Sequence, residues 1–213
     1  MKDRTSVLSK IACFQGRRDE VPNQKLAEEL FITKNRTGIK EIANNLKNED
    51  PNVQADCLKV LYEVGYRDPK LIAEYVEAFL GLLQSKNNRL VWGAMIALST
   101  VVPLRAESLG GHVDQIIETM KKGSVITIDN GVSILASVAS TETGPRKRIM
   151  AFLFNHLKTC RPKDVPQHSE RMLGAINGEN KAEFGRILGS RVKEFSPSQL
   201  KRVQKVLKAA EGK

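Results

Sequence analysis

One small group of side chains in the last third of the sequence has the chemistry to bind a metal. His156 and Cys160 are four residues apart, so on a helix they share one face, and His168 follows in the next segment. Imidazole nitrogen and thiolate sulfur are typical zinc ligands, but structural zinc sites usually have four ligands at shorter sequence spacings. We therefore expect an exposed histidine and a packed cysteine here, with no metal and no cofactor.

The sequence carries no recognisable catalytic motif. None of its three histidines, His112, His156 and His168, accompanies a nucleophile signature, and neither G-x-S-x-G nor G-x-x-x-x-G-K-[ST] occurs. Gly110-Gly111 is not followed by the lysine and hydroxyl residue that a phosphate-binding loop requires. These observations favour a protein that is not an enzyme.

The elements that would position any site are short amphipathic helices in a repeated pattern. Between Gly38 and Gly65, two apolar helical stripes are separated by Asp50-Pro51, which can cap and start the second helix. A step of 37 residues keeps the first stripe apolar in four copies: Ile39/Val76/Val113/Met150, Ile42/Phe79/Ile116/Leu153, Ala43/Leu80/Ile117/Phe154 and Leu46/Leu83/Met120/Leu157. The second stripe follows the same step: Cys57/Ala94/Gly131, Val60/Ala97/Ile134, Leu61/Leu98/Leu135 and Val64/Val101/Val138. Such a period is typical of a solenoid.

The segment IANNLKNEDPNVQADCLKVLYEVG resembles a HEAT repeat, with armadillo-type repeats as the near alternative. The resemblance covers roughly Thr37–Gly178. It implies an all-α fold: an α-α superhelix, that is, a right-handed solenoid of about four HEAT-like helix pairs with helical caps at both ends. We expect one solenoid domain with an N-terminal cap at residues 1–36, repeats of about 37 residues over 37–178, and a basic C-terminal cap at 179–213.

Composition bears on location. The N-terminal segment MKDRTSVLSK lacks the apolar core of a signal peptide, and no run of 18 apolar residues occurs, so we expect a cytoplasmic protein without membrane insertion. Cys13, Cys57 and Cys160 are far apart and form no C-x-x-C pair, which indicates buried, reduced thiols in a reducing compartment.

The net charge of +10 is concentrated at one end of the chain. Residues 1–140 hold 18 Lys/Arg against 17 Asp/Glu, whereas residues 141–213 hold 16 against 7. Candidate contacts for phosphate or an acidic partner are Arg146, Lys147, Arg148, Arg171, Arg191, Lys201, Arg202 and Lys205. If about five of these met phosphates, affinity would fall roughly 500-fold between about 50 and 200 mM salt. A solvated helix face is the alternative.

The HEAT resemblance also implies that the second helices line a concave binding surface. Outside the apolar stripes, the residues available for a protein partner there are Asp56, Lys59, Arg89, Trp92, Asp129, Asn130 and Ser133. Trp and Arg are favoured binding anchors, so Trp92 with Arg89 is the leading contact. The alternative is that Trp92 fills a gap between adjacent helices.

Three functions remain open. The first is a non-enzymatic scaffold for an unidentified protein partner, and the second is a nucleic-acid-binding module that uses the basic C-terminal third. The third rests on a resemblance to small HEAT-like alkylpurine DNA glycosylases, in which Trp92 and Asp129 would supply the aromatic and catalytic roles. The low aromatic content of 5% speaks against the third.

Overall fold

The computed structural model describes residues 6–213, and the regular elements in that range are all helical. The α-helices are α1 Val21–Ile32, α2 Arg36–Asn44, α3 Pro51–Arg67, α4 Val76–Leu82, α5 Asn88–Gly110, α6 Val113–Lys122, α7 Val125–Thr141, α8 Thr143–Thr159, α9 Val165–Met172, α10 Lys181–Ser190 and α11 Pro197–Glu211. Short 3-10 helices lie at Val7–Lys10, Cys13–Gln15, Asn45–Lys47, Pro69–Leu71, Ala73–Tyr75, Leu173–Ala175 and Val192–Glu194.

The apolar stripes predicted from the 37-residue step are confirmed. All sixteen positions of the first stripe and all twelve of the second are buried. Removing these side chains from water is the main force that holds the helices together, at roughly 1.5–3 kcal/mol for each large one. Between α2 and α3, the Asp50 carboxylate accepts from the Asn52 N–H at 2.8 Å, and Pro51 is the first residue of α3, as the sequence predicts.

The N-terminal region differs from the helix pair that its apolar residues predict, in which Val7, Leu8, Ile11 and Phe14 would share one face of a first helix. Residues 1–5 of the expected cap lie outside the described range, and Val7–Lys10 and Cys13–Gln15 form 3-10 helices, so the first predicted helix is wrong. Phe14, expected on its apolar face, is 54% exposed. Gly16 ends the second of these segments with φ of 64°, a left-handed conformation that glycine adopts without steric cost.

Pro103 predicts the end of a helix, and the helical geometry of α5 is interrupted two residues after it. The helix α5 continues to Gly110, with a kink at Arg105, where φ is −136° and ψ is 26°. Arg105 Nε donates to the Ala73 carbonyl at 3.0 Å. By length and composition alone, α5 is the one helix in residues 6–213 that could cross a membrane, and its side chains Met95, Leu98 and Val101 are buried among other helices.

The chain forms two compact units. Unit 1 comprises Met1–Arg105 and Glu118–Thr127, and unit 2 comprises Ala106–Ile117 and Ile128–Lys213. Within unit 1, α3 packs against α1 and α2. Within unit 2, α11 packs against α9 and α10, and α10 also packs against α8. The rings of Phe154 and Phe184, 6.3 Å apart, join α8 to α10.

The C-terminal cap follows the sequence in one helix and departs from it in the other. The spacing of the apolar residues Phe184, Ile187, Leu188, Val192 and Phe195 predicts a helix over Ala182–Phe195. In the structure this helix ends at Ser190 and is followed by a 3-10 turn. The sequence Ser196-Pro197-Ser198-Gln199 predicts a capping box at the start of the last helix. This prediction is confirmed: the Ser196 hydroxyl accepts from the Gln199 N–H at 3.4 Å, and Gln199 Oε1 accepts from the Ser196 N–H at 2.8 Å.

Candidate functional site

Two histidines and an aspartate form a hydrogen-bonded chain inside unit 2. His168 Nε2 lies 2.8 Å from Asp129 Oδ1, and His168 Nδ1 lies 3.0 Å from His156 Nε2. An ionised carboxylate only accepts, so the Nε2 of His168 carries the proton and donates it to Asp129. The Nδ1 of a neutral His168 ring then holds a lone pair, which accepts from the His156 Nε2–H.

The neighbours of Asp129 hold it in place. Gln167 Nε2 donates to Asp129 Oδ2 at 2.9 Å, and the Arg171 guanidinium donates to the Asp129 backbone carbonyl. Both carboxylate oxygens therefore have partners, and the carboxylate is fixed beside the first ring of the chain. Gln167 is a partner that sequence reasoning missed, although it directly precedes His168.

Cys160 joins the same cluster from the end of α8. Its sulfur and a ring nitrogen from each of His156 and His168 all lie within 4.8 Å of one another. Arg191 Nη1 donates to the Leu157 carbonyl at 2.6 Å and lies 3.8 Å from Cys160 Sγ. We call His156, Cys160, His168 and Asp129 the histidine cluster.

Burial sets the protonation of the histidine cluster. Burial, with the neighbouring His168 as a second cause, lowers the pKa of His156 to about 4, so this ring is neutral at pH 7. Burial raises the pKa of the Cys160 thiol, against the opposing effect of Arg191. The expectation of an exposed histidine is wrong here, because His168 is 1% exposed and His156 is half-buried.

Unit 1 contains a different buried polar group around Asp56. This carboxylate accepts from Asn23 Nδ2 at 2.9 Å and from the Cys13 N–H at 2.8 Å. Lys59 Nζ lies 2.8 Å from both Glu20 Oε2 and Glu63 Oε1. Asp56 and Lys59 are 5% and 7% exposed, which corrects the expectation that they face a partner.

An aromatic row runs from α3 to α5 in unit 1. The ring of Tyr62 lies 6.0 Å from that of Tyr66 and 6.4 Å from that of Trp92. Tyr62 is buried, Trp92 is half-buried and Tyr66 is 59% exposed. Arg89 on α5, whose side chain is 41% exposed, lies 3.8 Å from both Glu20 and Asp56. Sequence reasoning missed Tyr62 and Tyr66, although their spacing of four residues puts them on one helix face.

Two further residues expected on the contact surface lie in α7. Asn130 and Ser133 are half-buried, and Ser133 Oγ donates to the Asp129 carbonyl at 3.3 Å. Together with Asp129 they belong to unit 2, whereas the aromatic row belongs to unit 1.

The structure divides the eight basic candidates by their partners. Arg191 is buried, which corrects its expected role on the surface, and Arg146 and Arg171 donate to backbone carbonyls. Arg148 pairs with Asp114 at 2.6 Å, and Arg202 pairs with Glu170 at 2.7 Å. The exposed candidates without an ion pair in residues 6–213 are Lys147, Lys201 and Lys205.

The fold is similar to those of designed and natural helical repeat proteins. A designed armadillo repeat protein in complex with the peptide (KR)4 matches with a TM-score of 0.68 at 14% identity, over 88% of this chain and 86% of that one. Computationally designed armadillo repeat proteins for modular peptide recognition match at 0.66 and 15%, over 96% and 90%. The archaeal HEAT-like repeats protein from Thermococcus onnurineus NA1 matches at 0.52 and 12%, over 92% and 98%.

No protein-family model and no curated protein sequence matches this chain. The structural likeness shows that the chain has a HEAT/armadillo-like helical repeat fold, as the 37-residue step predicts.

Proposed function

We propose that this protein is a non-enzymatic helical repeat scaffold that binds a segment of a protein partner. The observation that carries the proposal is the aromatic row, because it leads from the buried core to an exposed ring, Tyr66, while the partly exposed Arg89 precedes Trp92 by one turn of α5. Aromatic and arginine side chains are the residues most often found at the energetic centre of protein interfaces. Designed armadillo proteins of similar fold recognise peptides, which supports the same use here.

Charge indicates the chemistry of the partner. The chain carries a net charge of +10, most of it in residues 141–213 and not in the part of the chain that holds the aromatic row, so the chain as a whole favours an acidic segment over a basic one. The designed armadillo repeat protein in complex with (KR)4 binds a basic peptide, whose charge is opposite to that of the acidic segment favoured here. We therefore expect the partner segment to combine acidic residues with an apolar or aromatic side chain that packs on the aromatic row.

The single tryptophan provides a local test. Binding of a peptide that alternates glutamate with leucine should change the fluorescence of Trp92, and a (KR)4 peptide should leave it unchanged. Trp92→Ala, Tyr66→Ala and Arg89→Glu should each weaken binding of the fluorescently labelled acidic peptide, by about 1–2 kcal/mol or more for a true anchor residue. Ile32→Ala is the matched control, since Ile32 is 67% exposed and lies outside the row.

Nucleic acid binding through the basic C-terminal third is the alternative, favoured by the exposed lysines Lys147, Lys201 and Lys205. Titration of a labelled duplex at several salt concentrations tests it. Binding of the duplex with a steep salt dependence, weakened by charge reversal at these lysines and unchanged by Tyr66→Ala, would replace the scaffold proposal. Peptide binding that is lost with Tyr66→Ala and kept on lysine reversal would support it.

A further inference from the structure

We propose that His156, Cys160 and His168 form a zinc-binding site, with the Asp129 carboxylate as the outer hydrogen-bond partner of His168. Two imidazoles and a thiol are donors that suit Zn²⁺, and three protein ligands with water in the fourth position make a common zinc arrangement. This inference reverses the expectation from sequence, which required a fourth protein ligand and shorter spacings. It does not depend on the proposed partner binding, which uses unit 1.

The distances in the cluster are close to those that a metal requires. With zinc–nitrogen bonds of about 2.0–2.1 Å, two imidazole nitrogens of a tetrahedral site lie roughly 3.3 Å apart. His156 Nε2 and His168 Nδ1 are 3.0 Å apart, so the rings need to separate by only a few tenths of an ångström. A nitrogen and a thiolate sulfur in such a site are about 3.5 Å apart, and Cys160 Sγ, already within 4.8 Å of a ring nitrogen of each histidine, reaches this by a small side-chain movement.

Asp129 lies where zinc sites often have a carboxylate that accepts a hydrogen bond from a histidine ligand and does not bind the metal itself. Histidine ligands of zinc usually donate their other ring N–H to a carboxylate or carbonyl, which fixes the tautomer and the ring orientation. His168 does so through Nε2 to Asp129 Oδ1, and this leaves its Nδ1 lone pair directed toward His156. Gln167 in turn donates to the other oxygen of the Asp129 carboxylate, so the orientation of this carboxylate beside His168 is fixed.

The protonation states allow the ligands to assemble at neutral pH. His156 and His168 bind as neutral rings, and the proton of His156 moves from Nε2 to Nδ1 so that Nε2 can bind. Cys160 binds as thiolate and gives its proton to solvent, so the balance is Zn²⁺ plus one thiol yielding the thiolate complex and one H⁺. The thiolate and the Asp129 carboxylate together balance the charge of the ion. Arg191, at 3.8 Å from the sulfur, is itself paired with Glu194 at 2.6 Å.

The test uses the full, reduced chain, without an affinity tag and stripped with a chelator. Titration with ZnCl₂ should give saturable binding of one ion per chain, with about one proton released at pH 7. Co²⁺ should give the visible absorption of a tetrahedral site and a thiolate-to-metal charge-transfer band. Cys160→Ser should abolish that band, and His156→Gln should abolish stoichiometric binding. Asp129→Asn should weaken Zn²⁺ binding roughly 10–100-fold while keeping the spectrum of the Co²⁺ site.

Matched control variants and a measurement on the unaltered chain distinguish zinc binding at the cluster from a general effect of substituting a histidine or a cysteine. His112→Gln and Cys13→Ser remove the same residue types outside the cluster and should leave affinity unchanged. In the unaltered chain, Zn²⁺ should protect Cys160 from alkylation and leave Cys13 as reactive as before, read by mass spectrometry. The site is rejected if no saturable binding occurs at micromolar protein, if Cys160 is not protected, or if folded Cys160→Ser and His156→Gln chains bind Zn²⁺ as well as the unaltered one.

Discussion

Both units bury polar side chains, but they satisfy them in different ways. In unit 1, Asp56 accepts from Asn23 and Cys13, and Lys59 lies between Glu20 and Glu63, so protein groups surround each charge. In unit 2, the hydrogen-bonded chain ends at His156, and Cys160 Sγ has only long contacts, at 4.0 Å to the Leu157 carbonyl and 3.8 Å to Arg191. The first arrangement satisfies its buried charges within the protein, whereas the second contains the thiol and the imidazoles of the zinc site that we propose.

The largest expected effect on stability concerns the buried polar group around Asp56 in unit 1. Asp56→Ala removes a carboxylate that is 5% exposed and leaves the Asn23 amide and the Cys13 N–H buried without their acceptor. A buried donor left without its acceptor costs about 1–3 kcal/mol, so the loss of both hydrogen bonds should lower the free energy of unfolding by about 2–5 kcal/mol, measurable by urea denaturation. Asp114→Ala, at an exposed ion pair, is the control and should cost less than about 1 kcal/mol. A similar cost for the two variants would contradict the difference between the clusters.

The next effect is a pH dependence that comes from unit 2. The pKa of His156 is about 4 in the folded chain and about 6.5 when unfolded, so acid protonates the unfolded state first. The contribution of His156 to stability is therefore present above pH 6.5 and is lost as the pH decreases toward 4, by at most about 2 kcal/mol between pH 7 and pH 5, since solvent screening of the half-buried ring reduces this value. His156→Gln should remove most of this loss in urea denaturation at the two pH values. An unchanged pH dependence in that variant would show that other groups are responsible.

The last prediction compares how closely side chains pack around one glycine in each unit. A Cβ added to Gly65 in α3 would meet Thr100 Oγ1 and lie 2.7 Å from Ile72 Cδ1, so Gly65→Ala should destabilise unit 1 by about 1–3 kcal/mol. Gly189 in α10 of unit 2 has no heavy atom within 4 Å of such a Cβ. Gly189→Ala should therefore stabilise by about 0.5 kcal/mol in thermal unfolding, because alanine favours a helix. Equal effects at the two positions would mean that the close approach at Gly65 is not rigid.

The sequence predicted the helices well because its signal is periodic. Burial of Ile42, Phe79, Ile116 and Leu153 follows from a step of 37 residues, and the cap at Ser196 follows from a local motif. The break in α5 just after Pro103 also follows from the sequence, whereas the return to helical geometry up to Gly110 depends on tertiary packing.

The candidate sites were less predictable, because they depend on contacts between distant residues. The four-residue spacing of His156 and Cys160 indicated a shared face, but the approach of Asp129 through His168, 39 positions away, leaves no mark in a single sequence. Likewise, Asp56 and Lys59 lie between the apolar stripe positions of α3, where polar residues normally face solvent. Their burial depends on Asn23 and Glu20, which come from an earlier part of the chain.

The division of the chain into two units affects its folding during synthesis and the folding of truncated fragments. The polypeptide passes between the two units three times, after Arg105, Ile117 and Thr127, and each passage falls inside a helix, namely α5, α6 and α7. No single peptide bond therefore separates one complete unit from the other. On the ribosome, unit 1 acquires its last segment only after residues 106–117 have been synthesised, and a fragment that stops at Arg105 would be missing a part of its own body.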